Sequence, residues 1–123
     1  MILNLTQHPA TTEQDAAGVV EPPDKGAVQA LLTFADAPTA AEILARAQAL
    51  AQIAADGGHE AAMIGGAGYL MGRLEIVLWA RGVRPCHSFS RRVSAEQKLP
   101  GGAVTKTAVF RHVGFVQSWT TTA

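Results

Sequence analysis

The sequence predicts a small three-layer α/β domain with a parallel core sheet and a C-terminal antiparallel hairpin. Short apolar segments, typical of buried strands, alternate with longer segments of helical periodicity, and this alternation indicates parallel strands joined by crossover helices. The last third instead alternates apolar and polar residues on both sides of a Pro-Gly-Gly turn, which is the pattern of a hairpin. The 123 residues are expected to form one domain, spanning residues 1–123.

Capping patterns and glycine stops place the predicted helices. Thr11 with Gln14 has the spacing of a capping box, and so has Thr39 with Glu42 ahead of the clearest helical pattern in the chain. Two prolines make the segment GVVEPPDKG a predicted surface loop. The predicted elements are a strand at 2–6, a helix at 12–17, a helix capped by Asp24 and ending near 34, a helix at 40–56, a strand at 60–66, a helix at 69–82, a strand at 83–94, and the hairpin around 100–102.

Composition excludes several functional classes. Lys and Arg together number ten, as do Asp and Glu, so the chain has no global basic field of the kind that gathers long nucleic acids or anionic membranes. The single cysteine, Cys86, excludes an internal disulfide and a cysteine-based zinc site, and no two histidines have helical spacing. No apolar run approaches the roughly 20 residues that span a bilayer, and the chain opens without a signal-peptide pattern. We therefore expect a cytoplasmic protein that binds no metal, membrane or long nucleic acid.

The predicted ligand site lies where the parallel strands end. Ligands of open α/β sheets bind at the carboxyl ends of the strands, and here those ends are polar or rich in glycine. Helices follow the first two ends, so unpaired amides and positive dipole ends favour a phosphate group. Gly66-x-Gly68 resembles part of a dinucleotide fingerprint, but the third glycine and the acidic residue are misplaced, and no cofactor is expected. The predicted ligand-binding residues are Thr6, Gln7, Gly65, Gly66, Gly68, Tyr69, Ser88 and Ser90.

The same residues also have structural interpretations. His8, which precedes Pro9, has an equally good role as a hydrogen-bonding residue of its loop. The glycines of segment 65–68 are also explained by a tight turn alone. Arg91 and Arg92 point to opposite faces of one strand, so at most one of them reaches the cleft. The other histidines are expected to have structural or solvated roles: His59, His87 and His112.

The opening LNLTQHPATTEQ, Leu3 to Gln14, resembles that of the small CRISPR-associated ring nucleases. The short Rossmann-like members of that group begin with a strand that runs into a Ser- or Thr-rich His turn, followed by threonine and Glu-Gln. The rest of the chain looks like a family of uncharacterised bacterial and phage proteins that share this opening. The resemblance implies an antiviral-defence homodimer that binds a cyclic oligoadenylate second messenger across its two-fold axis and cleaves it without a metal.

The implied reaction is attack of a ribose 2′-hydroxyl on the adjacent phosphorus, for which a protein aligns the groups, neutralises developing charge and moves protons. On this interpretation His8 orients or deprotonates the hydroxyl, and Arg91 stabilises the phosphate charge. The amides near Gly66 hold the phosphate. Tyr69 and Phe89 are candidates for stacking on adenine, and both are equally explained as core residues.

Two other functional classes stay open at this point. The first is a module that binds and sequesters a nucleotide messenger without cleaving it. The second is a nucleotide- or sugar-modifying enzyme, which needs a carboxylate in the cleft. Caps and loops explain most acidic residues, and Glu75 and Glu96 are the exceptions. We further expect His8, Gly66 and Ser90 to border one cleft. A two-fold dimer is expected from the apolar surface offered by Trp79, Trp119 and the hairpin segment AVFRHVGFV.

Overall fold

The computed structural model of the protein describes residues 1–118, without the side chains at positions 95 and 97, as five strands and four helices. These elements are, in chain order, β1 (Ile2–Leu5), α1 (Thr12–Ala16), β2 (Val19–Val20), α2 (Lys25–Leu32), α3 (Ala40–Asp56), β3 (Ala61–Ile64), α4 (Gly68–Ala80), β4 (Arg84–Lys98) and β5 (Val104–Val116).

The strands form one mixed sheet in the order β2-β1-β3-β4-β5. β1 pairs in parallel with β2 and with β3, and β3 pairs in parallel with the start of β4. β4 and β5 are antiparallel and are joined by the predicted turn at 100–102. The predicted α/β class, with a mostly parallel sheet and an antiparallel C-terminal pair, is therefore confirmed. The finer prediction of a three-layer Rossmann-like arrangement stays a prediction.

The main core lies between the sheet and three helices. Leu3 and Leu5 of β1 and Ile64 of β3 are buried in one cluster with residues of α2, α3 and α4. This burial removes apolar side chains from water, which is the dominant favourable contribution to folding. The opposite face has a smaller cluster made by Val19, Met63 and Cys86, with Ala10 and Phe115 against it.

The helix starts follow the predicted caps. The Thr11 side chain accepts from the backbone N–H of Gln14, and the Gln14 side chain accepts from the backbone N–H of Thr11, so α1 has a complete capping box. Thr39 caps α3 through the N–H of Glu42. The Glu42 carboxylate bonds Arg46 at 3.0 Å, one turn ahead, so the second half of the expected box is replaced by an i,i+4 ion pair.

Two predictions about strands were wrong. The segment expected to be a loop after α1 contains β2, because Gly18 turns the chain with a φ of 99° and brings Val19 opposite Ile2 before the two prolines begin. The strand expected at 83–94 and the first half of the hairpin are one continuous strand, β4. It leaves β3 after Cys86 and pairs with β5 from His87 onward.

Beyond the sheet body, β4 and β5 continue as a two-stranded ribbon that we call the β-arm, residues 90–113. A one-residue shift of register between Phe89 and Ser90 separates the β-arm from the body. Such a bulge bends a ladder locally and increases its twist.

In the described part of the chain, no helix is long and apolar enough to cross a bilayer.

Candidate functional site

A cleft of about 730 Å³ opens at the carboxyl ends of β1 and β3. Residues after both strands line it, together with the start of α1 and two residues of β4. The lining residues are Thr6, Gln7, His8, Pro9, Thr11, Gln14, Leu32, Met63, Ile64, Gly65, Gly66, Ala67, His87 and Ser88. The prediction that His8 and Gly66 border one cleft is confirmed, because parallel pairing of β1 with β3 brings their carboxyl ends together.

Four residues predicted to belong to the site do not line the cleft. Gly68 is the first residue of α4, next to the lining Ala67, and Tyr69 packs edge-on against Phe34 with 5.4 Å between ring centroids. Ser90 and Arg91 lie in the β-arm, opposite His112 and Arg111. These last two placements correct the prediction: β4 runs on past the cleft, and a strand advances about 3.3 Å per residue, so Arg91 is about 10 Å beyond Ser88.

The turn that carries His8 is fixed through its backbone carbonyl groups. Lys25 Nζ donates to the carbonyl of Thr6 at 2.7 Å, and Gln29 Nε2 donates to that of Gln7 at 2.9 Å. Asn4 Nδ2 donates to the carbonyl of His8 at 2.8 Å. The His8 imidazole itself is exposed and forms no hydrogen bond within residues 1–118. The loop is therefore held by the main chain of His8, which leaves its ring available.

A buried polar group underlies this turn. Asn4 is fully buried, accepts from the N–H and hydroxyl of Thr6, and donates to Glu21 at 2.8 Å. Glu21 also accepts from the N–H of Ala10 and lies 3.3 Å from Lys25 Nζ. Burial alone would raise the pKa of Glu21, but the bonds from Ala10, Asn4 and Lys25 together hold that pKa below its ordinary value.

The N-terminus of α4 faces the cleft without a side-chain cap. Its N-cap residue is Ala67, which has no side chain to bond the first amides. Gly66, just before it, has a φ of 154°, and an added Cβ would lie 3.4 Å from Met71 Cε. Glycine therefore suits this approach to the helix, and the helix presents amides and a positive dipole end to any anion in the cleft.

A histidine of the cleft is paired with a carboxylate. Nε2 of His87 lies 2.6 Å from Oε1 of Glu75 on α4. The Glu75 side chain is 13% exposed and also accepts from the hydroxyl of Ser118 at 3.0 Å, while the His87 side chain is 35% exposed. The sequence indicated that caps do not explain Glu75, and it favoured a structural role for His87; the structure pairs the two and places His87 in the lining of the cleft. No spacing rule predicts a contact between a helix and a following strand.

The hydroxyl of Ser88 connects α1 to both strands of the hairpin. Ser88 Oγ lies 2.6 Å from His112 Nδ1 and accepts from Gln14 Nε2 at 3.1 Å. The His112 ring packs against Phe115 with 4.6 Å between centroids. His112 thus has the structural role that the sequence predicts for it, and it fixes the hydroxyl of a cleft residue.

A family model described as "Uncharacterized protein MJ1673 family" matches residues 1–116. No curated protein and no solved structure matches. Among the described residues, no group of three or more His, Cys, Asp or Glu side chains is placed to hold a metal ion.

Proposed function

Since the chain belongs to the uncharacterized protein MJ1673 family, we infer its function from the cleft. We propose that the protein binds a small nucleotide there. The proposed ligand is a cyclic oligoadenylate, held in a Rossmann-like arrangement and cleaved by its own 2′-hydroxyl without a metal. One observation carries this proposal: two imidazoles, those of His8 and His87, border the same cleft as the uncapped N-terminus of α4.

The lining chemistry favours a phosphate. None of the lining residues is Asp or Glu, so no carboxylate repels an anion directly. The amides at Gly66 and at the start of α4 donate without needing a positive side chain, which fits a chain with no net charge. The same absence of a lining carboxylate disfavours the nucleotide- or sugar-modifying enzyme. Glu75, which the sequence singled out as a candidate, is engaged by His87.

The two histidines supply complementary proton transfers. When the Glu75 carboxylate accepts from Nε2–H of His87, Nδ1 of that ring is left as the proton acceptor. In the proposed reaction His87 Nδ1 takes the 2′-hydroxyl proton, O2′ bonds to phosphorus, the P–O5′ bond breaks, and protonated His8 gives its proton to the leaving oxygen. The products are a 2′,3′-cyclic phosphate and a 5′-hydroxyl.

Binding without cleavage is the second candidate. A specific observation favours it: the lining includes neither Lys nor Arg, since Arg91 lies in the β-arm. A developing phosphorane carries more negative charge than a ground-state phosphate, so a lining cation would stabilise the transition state selectively, and this lining has none. The two candidates share one ligand and differ only in product.

The test is to incubate the protein, with a chelator present, with cyclic and linear oligoadenylates and cyclic dinucleotides, and to measure retained ligand and products. We expect His8→Ala and His87→Gln each to lower cleavage by about 10²-fold or more with little change in binding or melting. His59→Ala, outside the cleft, is the matched control. Retained ligand without product would establish the binding module, and no retained nucleotide would contradict both candidates.

A further inference from the structure

The β-arm has little support from the rest of the chain beyond its base, where Arg111 lies 3.6 Å from Glu13 and His112 contacts Ser88. Its side chains are exposed, apart from half-buried Val93 and His112 and those at positions 95 and 97, which are not described. An isolated two-stranded hairpin is marginally stable in water and normally packs on a further strand or helix. Its outer strand, β5, also presents an open edge, which readily accepts another chain. The β-arm therefore has the properties of a docking element.

Charge is divided between the β-arm and the rest of the chain. The β-arm contains five of the ten Lys and Arg residues and one of the ten Asp and Glu residues, which gives it a formal charge of +4 and leaves −4 elsewhere. Arg91, Arg92 and Lys98 make no ion pair within residues 1–118. The whole chain has no net charge, but the β-arm is positive and the rest of the chain is negative. The β-arm of one copy is therefore complementary in charge to the rest of a second copy.

The β-arm also carries an apolar anchor. Phe110 is 72% exposed and lies opposite Arg92, on the same face of the ribbon as Val104. An aromatic ring flanked by arginine is the composition typical of the energetically dominant residues in protein interfaces. Of the other residues from which we predicted a dimer, Trp79 is half-buried and its Nε1 is buried without a partner among the described residues, and Trp119 lies outside those residues.

A groove of about 350 Å³ near the amino end of β3 has the complementary chemistry. Ile53, Ala27 and Pro23 provide apolar lining, and Asp24 and Asp56 provide carboxylates. Neither carboxylate makes an ion pair in the described part of the chain: Asp24 caps α2, and Asp56 accepts from the side-chain amide of Gln52. Asp56 ends α3, where the helix dipole disfavours an acidic side chain, so helix stability does not explain it.

We propose that the β-arm of one chain docks on this groove of a second copy, with Phe110 in the apolar part and Arg92 against Asp56. Exchange of arms about a two-fold axis would form two identical contacts and cover both exposed ribbons. A protein partner is favoured over nucleic acid because apolar Phe110 and Val104 accompany the cations, and because the required acidic surface is present on the chain itself. This inference is independent of the proposed nucleotide chemistry.

The test measures molar mass by light scattering at tens of micromolar protein and low salt. Wild type is expected at the mass of two chains or more, and high salt should lower it. Arg92→Glu and Asp56→Lys should each weaken association about tenfold or more, because each places like charges in the contact. An equimolar mixture of these two variants should recover the wild-type mass, since the reversed arm then meets the reversed groove.

Arg73→Glu is the matched control, because Arg73 is an exposed cation of α4 outside both surfaces. Asp56→Lys should melt no lower than wild type, since it removes an unfavourable charge from the end of α3, so a loss of mass in this variant reports docking rather than unfolding. A wild-type mass of one chain, or variants that keep the wild-type mass, would overturn the proposal. A monomer that shifts duplex DNA or RNA in a gel would overturn it in favour of a nucleic-acid arm.

Discussion

Replacing Asn4 by leucine is expected to destabilise the protein through the turn that carries His8. Asn4 is fully buried and its amide joins three parts of the chain: the end of β1 through Thr6, the turn through the carbonyl of His8, and the loop before α2 through Glu21. Leucine branches at the same carbon but is larger than asparagine, and it forms none of these bonds. The substitution therefore removes the polar contacts and overfills the buried space that the amide occupies.

The size of the effect follows from those bonds. The contact with the Glu21 carboxylate is charge-assisted and is worth about 1.5–3 kcal/mol, and the neutral bonds to His8 and Thr6 are worth about 1 kcal/mol each. Burial of leucine in place of an amide offsets about 1–2 kcal/mol. The net loss in the free energy of unfolding is about 3 kcal/mol, which corresponds to a fall in Tm of about 10 °C for a chain of this size.

Urea unfolding monitored by circular dichroism measures this loss, and Asn4→Asp is the informative companion. At neutral pH that variant places a second carboxylate against Glu21, so it should be less stable than Asn4→Leu. The coupled pair binds a proton more tightly when folded, so stability should recover as the pH falls from 7 to 5. The assigned role of Asn4 would be refuted if the two variants were equally stable at neutral pH and the stability of Asn4→Asp did not rise as the pH falls from 7 to 5.

Three further results are expected. Because the pKa of Glu21 is lowered in the folded state, its contribution to stability is present at neutral pH and is lost as the pH falls below about 4.5 through the folded pKa, and Glu21→Gln should flatten that part of the stability curve. Burial raises the pKa of Cys86 to about 11, so a thiol reagent at pH 7 should label it only as fast as the protein opens. Thr39→Ala should lower the free energy of unfolding by about 1 kcal/mol, whereas Thr12→Ala, one position past a cap, should change it little.

Elements with several local signals were predicted well from sequence. α3 has a capping threonine, a continuous apolar stripe and a glycine stop, and its predicted bounds of 40–56 agree with Ala40–Asp56. β2 was missed because a strand of two residues has no periodicity, and its formation depends on contact with β1. The position of the cleft followed from parallel strand order, which local patterns do indicate.

The side chains that complete the site were harder to predict. The Glu75–His87 pair depends on how α4 packs against β4, and the two residues are too far apart in sequence for any helical or strand spacing to join them. Arg91 was assigned to the cleft because the strand was expected to end near 94. β4 instead runs to Lys98, with a bulge that begins the β-arm just past the cleft. Strand length here is set by pairing with β5, which is a tertiary property.

Because β4 is continuous, a movement of the β-arm is coupled to the wall of the cleft. The same strand contributes Ser88 to the wall of the cleft and Lys98 to the tip of the β-arm, so the tip is about 33 Å from the wall at 3.3 Å per residue. If the β-arm tilts by a few degrees at the bulge near Phe89, its tip moves by about one or two ångströms. Conversely, contacts that hold the tip would limit movement of the strand next to the cleft residues Ser88 and His87. A partner that binds the β-arm would therefore act on the strand that forms one wall of the cleft.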